Sequence, residues 1–183
     1  MDNGASSYRR YLNGDEEAFR EIVKEYFDSL VFFIDRYVDD FAAAEDIALD
    51  AFTQLVVNKH RYNFSVSLKT YLFMMGRSRA LDYIKHRGKL PVAELSEAAE
   101  LPSAEPSLEE QILADERKRA VNRALSQLNE EMRLVIHLVY FEELSADEAA
   151  KVLKKNRKQV YNLLYRAKNA LRTILGEEGE RIL

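Results

Sequence analysis

At 183 residues the chain has room for one ordinary domain or two small ones, and an apolar fraction of 47% excludes wholesale disorder. It has no cysteine, so neither a disulfide framework nor a thiolate metal site is available, and no apolar run approaches bilayer-spanning length. The formal charge of −4 argues against a protein that coats DNA by bulk charge, which leaves the distribution of charge as the guide. Met1-Asp2-Asn3-Gly4 is polar and lacks the basic-then-apolar start of an export signal, so a cytoplasmic location is expected.

The first helical stripe is Ala18, Phe19, Ile22, Val23, Tyr26 and Phe27. A second is Ile47, Ala51, Phe52 and Leu55, whose polar side presents Glu45, Asp46 and Asp50. Asp46, Asp50 and Gln54 are spaced by four and so share one outer face. The segment Asn58 to Ser65 mixes Lys59, His60 and Arg61 with Tyr62 and Phe64. Cations that track phosphates and rings that stack on bases suit a single nucleic-acid strand, but either ring serves equally as a core plug beneath the loop. Leu68 to Met75 is apolar nearly all round and predicts a helix start buried between others. Beyond Gly76 the same helix turns basic through Arg77, Arg79, Lys85 and Arg87, then Lys89, against Asp82 alone. The helix macrodipole favours cations at that end in any case.

All three prolines, Pro91, Pro102 and Pro106, fall in one acidic window that has no Lys or Arg between Lys89 and Arg117. The window reads as a linker, 89–107, running into a helix with Ser107 as N-cap and Glu110 at its third position. No alternating apolar run justifies a strand. The expected fold is all-α, with two small helical domains at 8–88 and 108–176.

The second domain contains the most informative stretch. Ser145 and Glu148 form a capping box before a short helix with Ala149, Val152 and Leu153 inward. After Lys154-Lys155-Asn156 a longer helix begins, with Asn156 and Gln159 as a weaker capping pair. Its buried stripe is Val160, Leu164, Ala167, Leu171 and Ile174, and its opposite arc carries Lys158, Tyr161, Asn162, Tyr165 and Asn169. From Lys151 to Arg172 there are eight Lys or Arg and no Asp or Glu. A solvated face normally mixes both signs, so an acid-free face over about six turns, in an acidic protein, points to DNA. Two capped helices joined by a tight turn describe a helix-turn-helix whose second helix enters a major groove.

These segments, in this order, resemble a group 4 (extracytoplasmic-function) sigma factor of the sigma-70 family. Gly14 to Phe19 with Tyr26 is similar to the family's opening helix, and Ala44 to Phe52 to the helix that docks on the polymerase clamp. Leu68 to Leu72, with Arg77, Arg79 to Tyr83 and Arg87, resembles the promoter-melting helix; Ala124 to Leu128, Leu144-Ser145, Glu148 to Ala150 and Val160 to Leu171 resemble region 4. The resemblance implies an initiation factor that binds core RNA polymerase through Asp46, Asp50 and Gln54. It implies contact with the single-stranded −10 element through Lys59, Arg61, Tyr62, Phe64, Arg77, Arg79, Lys85 and Arg87. On the duplex −35 element it implies Asn162, Tyr165 and Arg166 nearest base edges, beside Tyr161, with Arg157, Lys158 and Lys168 on phosphates. An anti-sigma factor is left open as a further partner; no membrane insertion, cofactor, metal or catalysis is implied. The chain departs from the family pattern at Leu49, where a Gln is usual; at Leu68 and Tyr71, where an aromatic and a Trp are common; and at Leu163, where an Arg is common. The usual turn glycine is replaced by Lys154-Lys155-Asn156, of which Asn156 is best suited to an unusual backbone angle.

Two rival functions have distinct signatures. A stand-alone helix-turn-helix regulator of duplex DNA explains 144–172 but leaves the acidic helix face and the aromatic–basic loop without a role. An enzyme finds little support: His60, His86 and His137 lack metal-ligand spacing and there is no Gly-rich phosphate loop. The pairs Glu142-Glu143 and Asp147-Glu148 sit where helix termini explain them.

Overall fold

The computed structural model describes residues 4–87 and 121–176, and every regular element among them is helical. They are α1 (Ala5–Leu12), α2 (Glu16–Val38), α3 (Phe41–Val57), α4 (Leu68–Arg87), α5 (Glu130–Ile136, continuing as a π-helical turn His137–Phe141), α6 (Ala146–Leu153) and α7 (Arg157–Leu175). Residues 121–126 are also helical. The acidic, proline-bearing linker and the helix start expected at Ser107 and Glu110 lie outside the described residues.

By their contacts the described residues form two compact units, 4–87 with 144–156, and 121–143 with 157–176. In the first, α2 is the central helix, and α1, α3 and α4 all pack on it. Short acids start its helices: the Asp15 carboxylate accepts from the Ala18 amide, and Asp40 from the Ala43 amide at 3.1 Å. Ser67 does the same for α4, accepting from the Thr70 amide at 3.1 Å. Leu30, Phe33, Ile34, Leu68, Leu72 and Phe73 are fully buried, as the all-round apolar start of α4 predicts. Gly76 is what lets α4 lie close on α2. A Cβ there would stand 2.8 Å from Leu30 Cδ1 and 3.1 Å from Ile34 Cδ1, tighter than carbon atoms pack.

Helix α1 had no counterpart among the predicted elements. Its Tyr8 is fully buried, and the phenol donates to the carbonyls of Leu55 (3.0 Å) and Lys59 (2.8 Å), tying α1 to the end of α3 and the loop after it. Burial first, then the neighbouring tyrosines, push that phenol up to about 12, so it remains a donor at physiological pH.

Helix α6 packs on α4 within this same unit. Its capping box forms as expected, with Glu148 also reaching the N-terminus of α4: its Oε1 accepts from Ser67 Oγ (2.9 Å) and Thr70 Oγ1 (3.1 Å). In the second unit α7 packs on α5, which Asn129 caps by accepting from the Met132 amide at 2.9 Å. Val160, Leu163, Leu164, Ala167 and Leu171 are buried, and Ile174 is half-buried. Leu163 therefore belongs to the packed stripe.

Candidate nucleic-acid interface

The acidic face lies along α3. Asp46 and Asp50 are exposed, Gln54 is half-buried, and Leu49 beside them is 53% exposed. Asp46, Leu49 and Asp50, with Asp40, Thr53 and Tyr83, line a shallow groove of about 570 Å³; Gln54 lies outside it. Two of the basic residues of α4 fold back onto acids. Arg79 Nη1 stands 2.6 Å from Asp50 Oδ2, and Arg87 Nη1 stands 3.5 Å from Asp40 Oδ2. A residue expected on the polymerase and one expected on the DNA strand thus pair with each other. Gln54 accepts from Asn58 Nδ2 at 2.8 Å, which closes the end of α3. Lys85 is exposed; Arg77 is half-buried, with its Nε inside and no hydrogen-bond partner.

The loop after α3 separates its two rings. Tyr62 is only 3% exposed, its phenol donates to the Val66 carbonyl at 2.7 Å, and its ring packs against Tyr8, Phe64 and Tyr71. The expectation that Tyr62 offers a face to a base is corrected: this ring is the core plug, because α1 and α4 cover it. Tyr71 is one of its covers, half-buried itself. Phe64 is half-buried at a φ of 59°, left-handed backbone that a large side chain rarely adopts. Such strain persists only where surrounding contacts hold it, and is concentrated at functional sites. Lys59 Nζ lies 4.7 Å over the Tyr11 ring, while His60 and Arg61 are exposed.

On α7, Arg157, Lys158, Tyr161, Asn162, Tyr165 and Arg166 are all exposed, Tyr165 at 69%. Lys168 is half-buried, its Nζ 5.1 Å over the ring of Tyr140, and Arg157 lies 5.5 Å over Tyr161. The left-handed residue of the turn is Lys154, at φ 53°, and Asn156 does not carry it. The Lys155 amide donates to Ala150 O at 2.9 Å, the reverse-turn bond that ends a helix when its terminal residue goes left-handed. Geometry of the turn, one residue past Leu153, selects the position over side-chain preference.

Sequence reasoning missed α1, although Tyr8, Tyr11 and Leu12 at i, i+3 and i+4 are a helical signal, and it missed the exposed pair Tyr140 and Phe141. Among the described residues no cluster of three His, Asp or Glu is arranged to hold a metal ion, and no helix is long and apolar enough to cross a membrane.

An acid-faced helix beside a basic one, a cation-and-ring loop between them, and a second module with an acid-free exposed helix define a helical protein of the nucleic-acid-binding class. Two family models match consecutive parts of it: Sigma-70 region 2 over residues 22–90 and Sigma-70, region 4 over 118–171, together about two thirds of the chain. The chain belongs to the sigma-70 family, in its extracytoplasmic-function group. It is 27% identical to the RNA polymerase sigma-H factor of Pseudomonas aeruginosa, covering 88% of each chain. It is 29% identical to the ECF RNA polymerase sigma factor SigW of Bacillus subtilis, covering 90% of this chain and 92% of SigW. Its fold is similar to that of the sigma factor RpoE solved with the anti-sigma factor NepR from Bartonella quintana, at a TM-score of 0.67 and 20% identity over 87% of this chain and 98% of RpoE. It is also similar to CnrH solved with the cytosolic domain of CnrY, at a TM-score of 0.64 and 20% identity over 95% and 97%.

Proposed function

We infer that this chain is a sigma factor that directs bacterial RNA polymerase to specific promoters. The observation that carries the reading is the coincidence of two sigma-70 regions, in the family's order, with the charge segregation of the modules they match. Asp46 and Asp50 dock on a basic surface of core polymerase. Asn162, Tyr165 and Arg166 read base edges of the −35 element, while Arg157, Lys158 and Lys168 take phosphates. Lys59, Arg61 and Phe64, with Arg77, Arg79, Lys85 and Arg87, engage the −10 strand; melting is driven because single-strand contacts offset lost stacking.

The factor acts in the cytoplasm and has no catalysis of its own; the polymerase supplies the chemistry. By likeness to RpoE and CnrH, an anti-sigma protein is its second protein partner. A stand-alone regulator is less favoured because it gives the exposed α3 carboxylates nothing to do.

The test is run-off transcription with core polymerase, with start sites mapped genome-wide. A common pair of upstream elements is expected, and no added initiation over core alone would refute the reading. On a −35-dependent promoter so found, Arg166→Ala and Asn162→Ala should each weaken transcription by about 1–3 kcal/mol of recognition while core binding stays intact. Unchanged transcription in both variants would remove α7 as the reading helix.

A further inference from the structure

Arg9 and Arg10 are adjacent on α1, and the fold treats them in opposite ways. Arg10, though exposed, is committed to intramolecular ion pairs, with Nη2 2.6 Å from Asp15 Oδ2 and Nη1 2.9 Å from Glu21 Oε2. Arg9 is exposed and, among the described residues, pairs with no carboxylate. Its guanidinium lies instead 4.8 Å from the centroid of the Phe64 ring. Phe64 is the left-handed residue of the aromatic–basic loop, and its ring also packs on Tyr62 (4.6 Å) and Tyr8 (6.2 Å). The outermost layer over this strained ring is therefore a planar, uncompensated cation. A guanidinium plane stacks on nucleobases as an aromatic ring does, and its N–H groups reach a phosphate at the same time.

We propose that α1 is part of the single-strand interface, with Arg9 stacking on an unpaired nucleotide held at Phe64 and contacting its phosphate. This rests on the reading above that the loop engages the −10 strand. Tyr8 serves the same site as a positioning residue: its two hydrogen bonds to Leu55 and Lys59 carbonyls hold the loop against α1, so that Arg9 and Phe64 stay in register. The ligand is a nucleotide because a carboxylate would gain the charge contact but would leave the stacking face of the guanidinium unused.

The test uses holoenzyme reconstituted from the full chain and core polymerase. The probe is a forked template with the −10 sequence recovered from the mapped start sites, 2-aminopurine in its unpaired strand, and a fully duplex template as control. Arg9→Ala should bind core at wild-type yield, bind the fork about tenfold more weakly, and show a salt slope shallower by about 0.7. Arg9→Lys should restore the slope without restoring the full affinity for the fork, since it returns the charge and not the plane. Arg10→Ala should lower thermal stability and leave fork binding alone. Equal fork binding by Arg9→Ala and wild type overturns the proposal, as does loss of core binding, which would make Arg9 a polymerase contact. If the wild-type holoenzyme itself prefers the fork no more than the duplex, the loop reading fails and the proposal falls with it.

Discussion

The carboxylate of Glu148 accepts from the amide and hydroxyl of Ser145 (3.0 and 2.7 Å) and from the hydroxyls of Ser67 and Thr70. Burial alone would push this carboxyl up, but the hydrogen bonds more than offset it and hold it below the usual carboxylate range. A group whose folded value is depressed contributes stability above its unfolded value and loses it as pH falls through the folded one. Wild type should therefore lose stability from about pH 5 downward in part through this residue. Glu148→Gln should be less stable near neutrality, and its deficit should narrow toward acid. Urea midpoints at a series of pH values measure this; a constant offset at every pH would show that the charge of Glu148 is not what the hydroxyls hold. The sequence made the capping box legible because its partners are three residues apart. Ser67 and Thr70 were not legible as partners, because only the packing of α6 on α4 brings them near.

At the scale of elements, the pairing of Asp50 with Arg79 joins α3 to α4 across 29 positions of sequence. The pair is solvent-accessible, so it is worth at most about 1 kcal/mol and is readily exchanged for a stronger contact. On the proposed reading, docking of Asp50 on a basic surface would release Arg79 toward a phosphate. Charge reversal, Asp46→Lys with Asp50→Lys, should abolish co-purification with core polymerase while helical content stays at the wild-type level. Co-purification at wild-type yield would put the docking face elsewhere. Periodicity showed which side of α3 faces outward, since a helix separates its faces by residue spacing alone. It carried no information on which cation lies opposite, because that depends on how α4 crosses α3. The same limit explains Tyr62 and Phe64: spacing in a loop has no period, so only the covering helices α1 and α4 determine which ring is inside.

For the molecule as a whole, the charge pattern makes one further expectation, argued from sequence because the linker lies outside the described residues. Glu94, Glu97, Glu100 and Glu105 are tethered between the basic end of α4 and the basic face of α7. A tether of this length gives an effective concentration on the order of millimolar, enough for the acids to compete with DNA phosphates in the free protein. Replacing all four with Gln should tighten DNA binding by the free protein at low salt, with the gain shrinking as salt rises. Unchanged affinity at low salt would show that the linker is acidic without masking either surface. The sequence by itself determined the helical class and the segregation of acid from base, because these follow from spacing, capping chemistry and composition, each local along the chain; the two matched regions came from resemblance to the family. Only the tertiary structure decided that Tyr62 is core, that Lys154 makes the turn, that Asp50 meets Arg79, and that an N-terminal helix brings Arg9 over Phe64. The three contacts depend on elements distant in sequence, whose approach no local pattern encodes, and the Lys154 angle depends on where the preceding helix stops, which side-chain preference alone does not set.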